Sequence, residues 1–316
     1  MTGRHRLFLP EAVDAETLEF NAGLEARQRD VPPVHERSAA DSRRMREAGT
    51  WGEIVRSDRA VDRLVSRADG PDVPIRIFEP DTVRGVHVFV HGGGWVLGAA
   101  DQQDQALEAL AAACEMTVVS VEYRLAPEHP FPNGPDDCEA AARWVVEHAE
   151  AEFGTDRVTI GGRSAGAHLA VLTLLRLRDR HGITSLRAAD LQFGLFDLRM
   201  TPSARNWGRR QLVLSTPSIR WHIRQFIGDR DPDDPQISPL LAELGELPPA
   251  LFTVGTLDPL IDDSIFMAGR WEATGSAAEL NVYPGGTHAF TSAPTHLAER
   301  ARSRTVEFLR SAIEAP

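Results

Sequence analysis

Gly162-Arg163-Ser164-Ala165-Gly166 stands between a β-branched run, Val158-Thr159-Ile160, and a leucine-rich stretch from Ala165 to Arg180. These five residues constrain the chain more tightly than any others. A strand that becomes a helix within one or two residues needs glycine on both sides of the turn, because a Cβ there would collide with neighbouring backbone. The residue at the apex is pushed out of the sheet, so the hydroxyl of Ser164 is exposed at the sheet edge. The N-terminus of the helix that follows lies beneath it, and its unpaired N–H groups and positive dipole end favour negative charge there. The bare pattern G-x-S-x-G is common in loops; the strand before it and the helix after it give it meaning.

The rest of the chain alternates in the same way. Strands are expected over 73–78, 86–90, 117–121, 158–160, 191–196, 250–254 and 280–283, with a further strand between Trp51 and Val73. Helices are expected over 102–113, 136–152, 165–180, 262–274 and 295–313. Alternation of this kind is the mark of a mostly parallel sheet with helices on both faces, and the nearly continuous apolar run Val86–Val90 suits a strand buried on both sides. Two segments break the rhythm. Residues 1–50 are charged and helix-prone, with Val13, Leu18, Phe20 and Leu24 forming a partly amphipathic pattern. Residues 197–235 are rich in Trp, Arg and Pro and hold the apolar cluster Trp207, Leu212, Val213, Leu214, Ile219, Trp221, Ile223 and Phe226.

A serine is a poor nucleophile at neutral pH. It needs a base beside it, a group that orients the base, and donors for the oxyanion. Asp258 follows strand 250–254, and His288 follows strand 280–283. They lie 94 and then 30 positions beyond Ser164 and its successor in the series, each at the carboxyl end of a strand, where open α/β sheets bind ligands. Asp262 and Asp263 are rivals to Asp258, but they fall where acidic residues commonly begin a helix. His129 reads as a turn residue and His168 as a packed interior histidine one helical turn past the serine. His87 reads as packing or surface, and His181 and His222 have no supporting context. The glycines of His91-Gly92-Gly93-Gly94-Trp95 let backbone approach a substrate and aim N–H groups at one point. Gly92, Gly93 and Gly94 are therefore candidate oxyanion donors, with Ala165 as the other wall.

The segments His91–Trp95, Tyr123–Pro132, Gly162–Gly166, Asp258-Pro259-Leu260 and Gly286–Phe290, in this order, resemble the hormone-sensitive-lipase-like (family IV) esterases of the α/β-hydrolase fold. The resemblance covers roughly residues 73–315. It implies Ser164 as nucleophile, His288 as general base and then acid, Asp258 as its orienter, and a helical cap over an acyl pocket. It divides the chain into an N-terminal cap segment, 1–50, a core in two parts, 51–196 and 236–316, and a cap insertion, 197–235. No cofactor or metal is implied. Arg163 stands where the family commonly has Asp, and Ala167-His168 where it has Gly-Asn. Arg163 has two readings, an ion pair with a nearby acid or a hold on an anionic substrate. Trp95, Arg163, Trp207, Leu214, Trp221 and Phe226 are the expected pocket residues, their apolar members giving limited depth suited to short or medium acyl chains.

Composition narrows the partners. A net charge of −12 argues against a nucleic-acid backbone or an anionic membrane surface. All 34 basic residues are arginine. Cys114 and Cys138 lack any metal-type spacing and read as buried apolar residues in a reducing compartment. The N-terminus has no apolar core of signal-peptide length, and no run approaches the ~18 residues of a membrane span. The expectation is a cytoplasmic hydrolase of small-molecule esters, with a homodimer left open. Deacetylation or amide hydrolysis of a specialised metabolite is the alternative; a non-catalytic receptor on this fold normally lacks one of the three residues that are all present here.

Overall fold

The structure, a computed structural model, describes residues 4–50, 52–67 and 69–315. Two helices come first, α1 (Ala15–Arg29) and α2 (Ala39–Glu47), followed by strands β1 (Val61–Val65), β2 (Val73–Phe78) and β3 (Gly85–Val90). Then come α3 (Asp104–Cys114), β4 (Met116–Val121), α4 (Asn133–Phe153), β5 (Val158–Arg163), α5 (Ala165–His181) and β6 (Ala189–Gln192). The 197–235 excursion carries α6 (Pro202–Asn206) and α7 (Thr216–Ile227). It is followed by β7 (Ala250–Leu257), α8 (Ile261–Ala273), β8 (Ala278–Thr287) and α9 (His296–Glu314).

The strands make one sheet in the order β1-β2-β4-β3-β5-β6-β7-β8. It is parallel from β4 onward and antiparallel at β1–β2 and β2–β4. Every residue of β3 and β4 is buried, as their β-branched, charge-free sequences require of strands covered on both faces. On one face α4, α5 and α8 close a core that includes Val88, Ile160, Leu169 and Trp271. On the other, α3 and α9 cover Phe89, Leu107, Leu309 and Ile313. The helices begin and end on ordinary signals. Ser215 and Ser218 form a reciprocal capping box on α7, Thr295 caps α9, and Gly154 and Gly182 end α4 and α5 in the left-handed conformation.

Several strand boundaries differ from the sequence expectation, and two of these shifts bear on the site. The strand expected over 191–196 ends at Gln192, because Phe193 turns to φ 40°. The N–H of Phe193 still donates to the Thr253 carbonyl at 2.7 Å, but those of Phe196 and Asp197 donate to the buried carboxylate of Asp263 at 2.7 and 2.9 Å. The last strand runs to Thr287, four residues past its expected end. The apolar pattern expected on the first helix is realised in part: Leu18 of α1 is 53% exposed, but Phe20 packs against the cluster that holds Tyr283 and Phe290, while the fully buried residues of the helix are Thr17 and Asn21. The side-chain N–H of Asn21 donates to the carbonyl of Gly285 at 2.8 Å, so α1 also docks through a polar contact on β8. The N-terminal helices and the 197–235 excursion also touch each other. Arg210 pairs with Glu25, and Trp221 packs among Val34, Ala39, Val96 and Leu97. Among the described residues, no helix is long and apolar enough to cross a membrane.

Candidate active site

Strand register places the serine. β3 and β5 run parallel with Val90 beside Gly162, so the loop leaving β3 lies alongside the turn leaving β5. At that turn Ser164 has φ 56° and ψ −120°, strained for a residue with a Cβ. The turn is as tight as the motif demands: a Cβ on Gly166 would stand 2.0 Å from the carbonyl oxygen of Val90. Ala165 opens α5 directly behind the hydroxyl.

A second register places the other two side chains. β7 and β8 pair Gly255 with Tyr283, yet Leu257 with Thr287. β8 therefore spends two more residues than β7 over this step. Without that bulge Asp258 would face Gly286; with it, Asp258 faces His288. An even number of extra residues keeps the alternation of faces. His288 Nδ1 lies 2.9 Å from Asp258 Oδ2, and His288 Nε2 lies 2.9 Å from Ser164 Oγ. Asp258 Oδ1 accepts the backbone N–H of Leu260 at 2.9 Å, which locks the carboxylate. Asp258 is 1% and His288 4% exposed, and the Phe193 ring stands edge-on to the imidazole at 5.1 Å. In this geometry Nδ1–H donates to Asp258, leaving the Nε2 lone pair to accept the serine proton.

The rival acids are occupied elsewhere. Asp262 accepts the N–H of Ser203, and Asp263 accepts from Phe196, Asp197 and Thr201. The other histidines are also accounted for. Trp95 Nε1–H donates to His168 Nδ1 at 3.1 Å, so the proton on Nε2 donates to the Ile237 carbonyl at 2.8 Å. His168 is thus an interior packing residue, and burial lowers it to about 4. His87 is buried against Thr159, and His181 lies 2.8 Å from Glu139. His222 was not legible: burial lowers it to about 4, its ring packs against Gly94, and it lines the cavity over the serine. Its signal was its place in the stripe Ser215, Ser218, Ile219, His222 on α7, one helical face.

The glycine loop is held from behind. The Tyr123 hydroxyl donates to the His91 carbonyl at 3.0 Å, and the His91 and Tyr123 rings stack at 4.2 Å. The Gly93 carbonyl accepts the N–H of Leu97 at 2.8 Å. Among the described residues, the N–H groups of Gly93 and Gly94 have no protein acceptor. Donors of this kind, beside the free first N–H of α5, suit a developing oxyanion.

A cavity of about 1110 Å³ opens over Ser164. The structure redraws its expected wall. Leu214 lines it, as do Arg163 and Trp95, though Trp95 is only 2% exposed. Phe226 does not; it lies behind Trp95, stacked on it at 4.6 Å. Trp221 faces Val96, Leu97 and Ala126, and Trp207 turns away to donate to the Arg210 carbonyl. On α7, helix periodicity sends Trp221 and Phe226 away from the stripe that faces the cavity. Arg163 has no carboxylate within ion-pair distance among the described residues; its guanidinium donates to Gln103 Oε1 at 2.9 Å and lies over the Phe89 ring. The ion-pair reading of that residue is therefore set aside.

A family model for the alpha/beta hydrolase fold matches residues 87–292. The chain belongs to the α/β-hydrolases. Within them it is one of the hormone-sensitive-lipase-like group, as its motifs suggest. The carboxylic ester hydrolase LipN of Mycobacterium tuberculosis is 37% identical over 229 residues, 69% of this chain; the match spans 61% of that protein's length. The ethyl acetate hydrolase of Pseudomonas putida is 32% identical over 273 residues, 82% of this chain and 85% of that one. Among solved structures, a hyperthermophilic esterase from the archaeon Pyrobaculum calidifontis superposes with a TM-score of 0.85 at 27% identity, covering 94% of this α/β-hydrolase and 98% of its own chain.

Proposed function

We propose that this α/β-hydrolase is a serine-dependent carboxylic-ester hydrolase that works through an acyl-enzyme. The observation that carries the reading is His288, whose two ring nitrogens lie 2.9 Å from Ser164 Oγ and from Asp258 Oδ2. Ser164 attacks the ester carbonyl as His288 Nε2 takes its proton, and Asp258 holds the ring and stabilises the imidazolium. The N–H groups of Gly93, Gly94 and Ala165 receive the oxyanion, with Gly92 completing the loop. His288 then gives its proton to the leaving alkoxide. In the second half it takes a proton from water, which attacks the acyl-enzyme and releases the acid and Ser164.

Residues 1–50 and 197–235 act as the cap, a role supported by Leu24, Val34, Leu214 and Ile219 on the cavity wall. Short acyl groups are the favoured substrates, a reading supported by the relative that is an ethyl acetate hydrolase. The test is covalent labelling with an organophosphonate, read by mass spectrometry, alongside turnover of p-nitrophenyl esters of rising chain length and matched anilides. Labelling at Ser164 and a burst of p-nitrophenol, both lost in Ser164→Ala, are expected. Turnover that survives Ser164→Ala would end the assignment, and anilides turned over faster than esters would make the enzyme an amidase.

A further inference from the structure

The cavity's charge is opposite to that of the chain. The protein carries a net charge of −12, yet four arginines, Arg27, Arg37, Arg46 and Arg163, line the space over the serine, with Glu53 as the acidic lining residue among those described. Two of the four are held in an unusual way. Arg163 donates to Gln103 Oε1 at 2.9 Å, and Arg46 donates to Gln102 Oε1 at 2.6 Å. Several other semi-buried arginines meet carboxylates directly: Arg76 meets Asp104, Arg124 meets Asp137, and Arg176 meets Asp136. For Arg46 and Arg163 no carboxylate oxygen lies within 4.0 Å among the described residues, and each guanidinium donates instead to a neutral amide just before α3.

A guanidinium has five N–H donors. Arg46 uses one on Gln102. Arg163 uses Nη1, on Gln103 with a long 3.5 Å contact to Ser292, while its Nε is buried without a partner. Burial pushes the pKa of both groups down, the mark of cations stripped of water and not fully compensated. Asp190 acts on Arg163 only from beyond 4 Å. Leaving such donors uncompensated is costly, and an anion entering the cavity would relieve it.

Resting on the ester-hydrolase reading above, we infer that the substrate carries an ionised acid group besides its scissile ester, and that Arg163 and Arg46 receive that anion. Arg163, Arg46 and Ser164 line the same cavity, so one small molecule can present an anion to the arginines and an ester carbonyl to the serine. Half-esters of short dicarboxylic acids have that chemistry. The planar fork of arginine suits a carboxylate better than a point charge does. The reaction remains ordinary hydrolysis: water adds across the acyl–oxygen bond, and the products are the diacid and the alcohol.

The experiment compares kcat/KM for monoethyl succinate with that for ethyl butanoate, a neutral ester with an acyl chain of the same length. The anionic ester is expected to be preferred at low salt, with the preference shrinking severalfold in 0.5 M sodium chloride. The ratio should fall about tenfold or more in Arg163→Gln and in the same direction in Arg46→Gln, which lies on α2, away from β5, and guards against misfolding of the first variant. Succinate should inhibit ethyl butanoate hydrolysis competitively in the wild type and more weakly in both variants. A ratio moved by neither substitution, or an equal loss on both esters, overturns the inference while leaving the hydrolase reading intact. If ethyl butanoate is not hydrolysed and phosphonate does not label Ser164, the hydrolase reading falls and takes the inference with it.

Discussion

Gly255 sits where two strands are pressed together to bring Asp258 opposite His288, so Gly255→Ala tests the geometry on which catalysis depends. An added Cβ would lie 1.9 Å from the carbonyl oxygen of Gly286, 2.3 Å from its carbonyl carbon and 2.6 Å from its Cα. All three are backbone atoms and cannot rotate away. Reaching the 3.0 Å limit that real Cβ atoms respect requires the strands to part by about 1.1 Å at this point. That step is the one where the pairing changes from Gly255–Tyr283 to Leu257–Thr287, immediately before the acid and the base. A displacement of about 1 Å can cost roughly 100-fold in rate, and overpacking of this kind costs about 1–3 kcal/mol in stability. The expected result is a fall of about 100-fold in kcat on p-nitrophenyl acetate, with Ser164 still present but labelled slowly by phosphonate, and a Tm lowered by several degrees. Gly269→Ala is the control: the added Cβ meets nothing within 4 Å, on α8 of the same layer, and it should keep activity and gain slightly in stability. If Gly255→Ala keeps kcat within about threefold, the claim that strand spacing sets the Asp258–His288 contact is wrong.

Asp258→Asn should keep the fold and lower kcat by roughly 1,000- to 10,000-fold, because the amide no longer holds the Nδ1–H tautomer; steady-state kinetics with a folded-protein check by circular dichroism decides it. His168→Leu strips Trp95 Nε1 of its acceptor and the Ile237 carbonyl of its donor. At about 1–3 kcal/mol for each buried unsatisfied group, calorimetry should show a clear drop in Tm with Ser164 labelling retained, and an unchanged Tm would contradict the packing role. Asp190 is buried, one carboxyl oxygen has no partner, and burial pushes its pKa up to about 6. Between about 4 and 6 the folded chain holds a proton that the unfolded chain has lost, so Asp190 stabilises the fold at acid pH and loses that contribution as pH rises through about 6. The urea midpoint of Asp190→Asn should therefore fall less than that of the wild type between pH 4 and 6.5, and parallel curves would refute this.

Ser164, Asp258 and His288, which the structure brings within hydrogen-bond distance, were legible because each is announced locally. Ser164 lies in a strand–turn–helix that tolerates only glycine around it, and Asp258 and His288 each sit directly after a strand. The alternation of strands and helices likewise revealed the sheet and its covered faces, since burial on both sides forces apolar, β-branched strands. What escaped was whatever depends on how separate segments meet. The two-residue bulge in β8 leaves no mark in its own sequence beyond Pro284-Gly285-Gly286, yet it decides which residue faces Asp258. Trp207, Trp221 and Phe226 carry the composition of a substrate pocket, but Trp207 bonds within its own loop, and the direction of α7 turns Trp221 and Phe226 into packing and gives the cavity wall to Ser215, Ser218, Ile219 and His222.

By itself, then, the order of residues determined which elements form, which serine is exposed at a turn, and which acid and base follow the right strands, because those are properties of short windows of chain. Only the tertiary structure decided that the Asp258–His288–Ser164 contacts close at hydrogen-bond length, that α1 docks through the Asn21 hydrogen bond as well as through Phe20, and that arginines from α2 and β5 line one cavity with glutamines for partners. Register, bulges and the convergence of distant side chains are set by packing across the sheet, and packing has no representation in a local window of sequence.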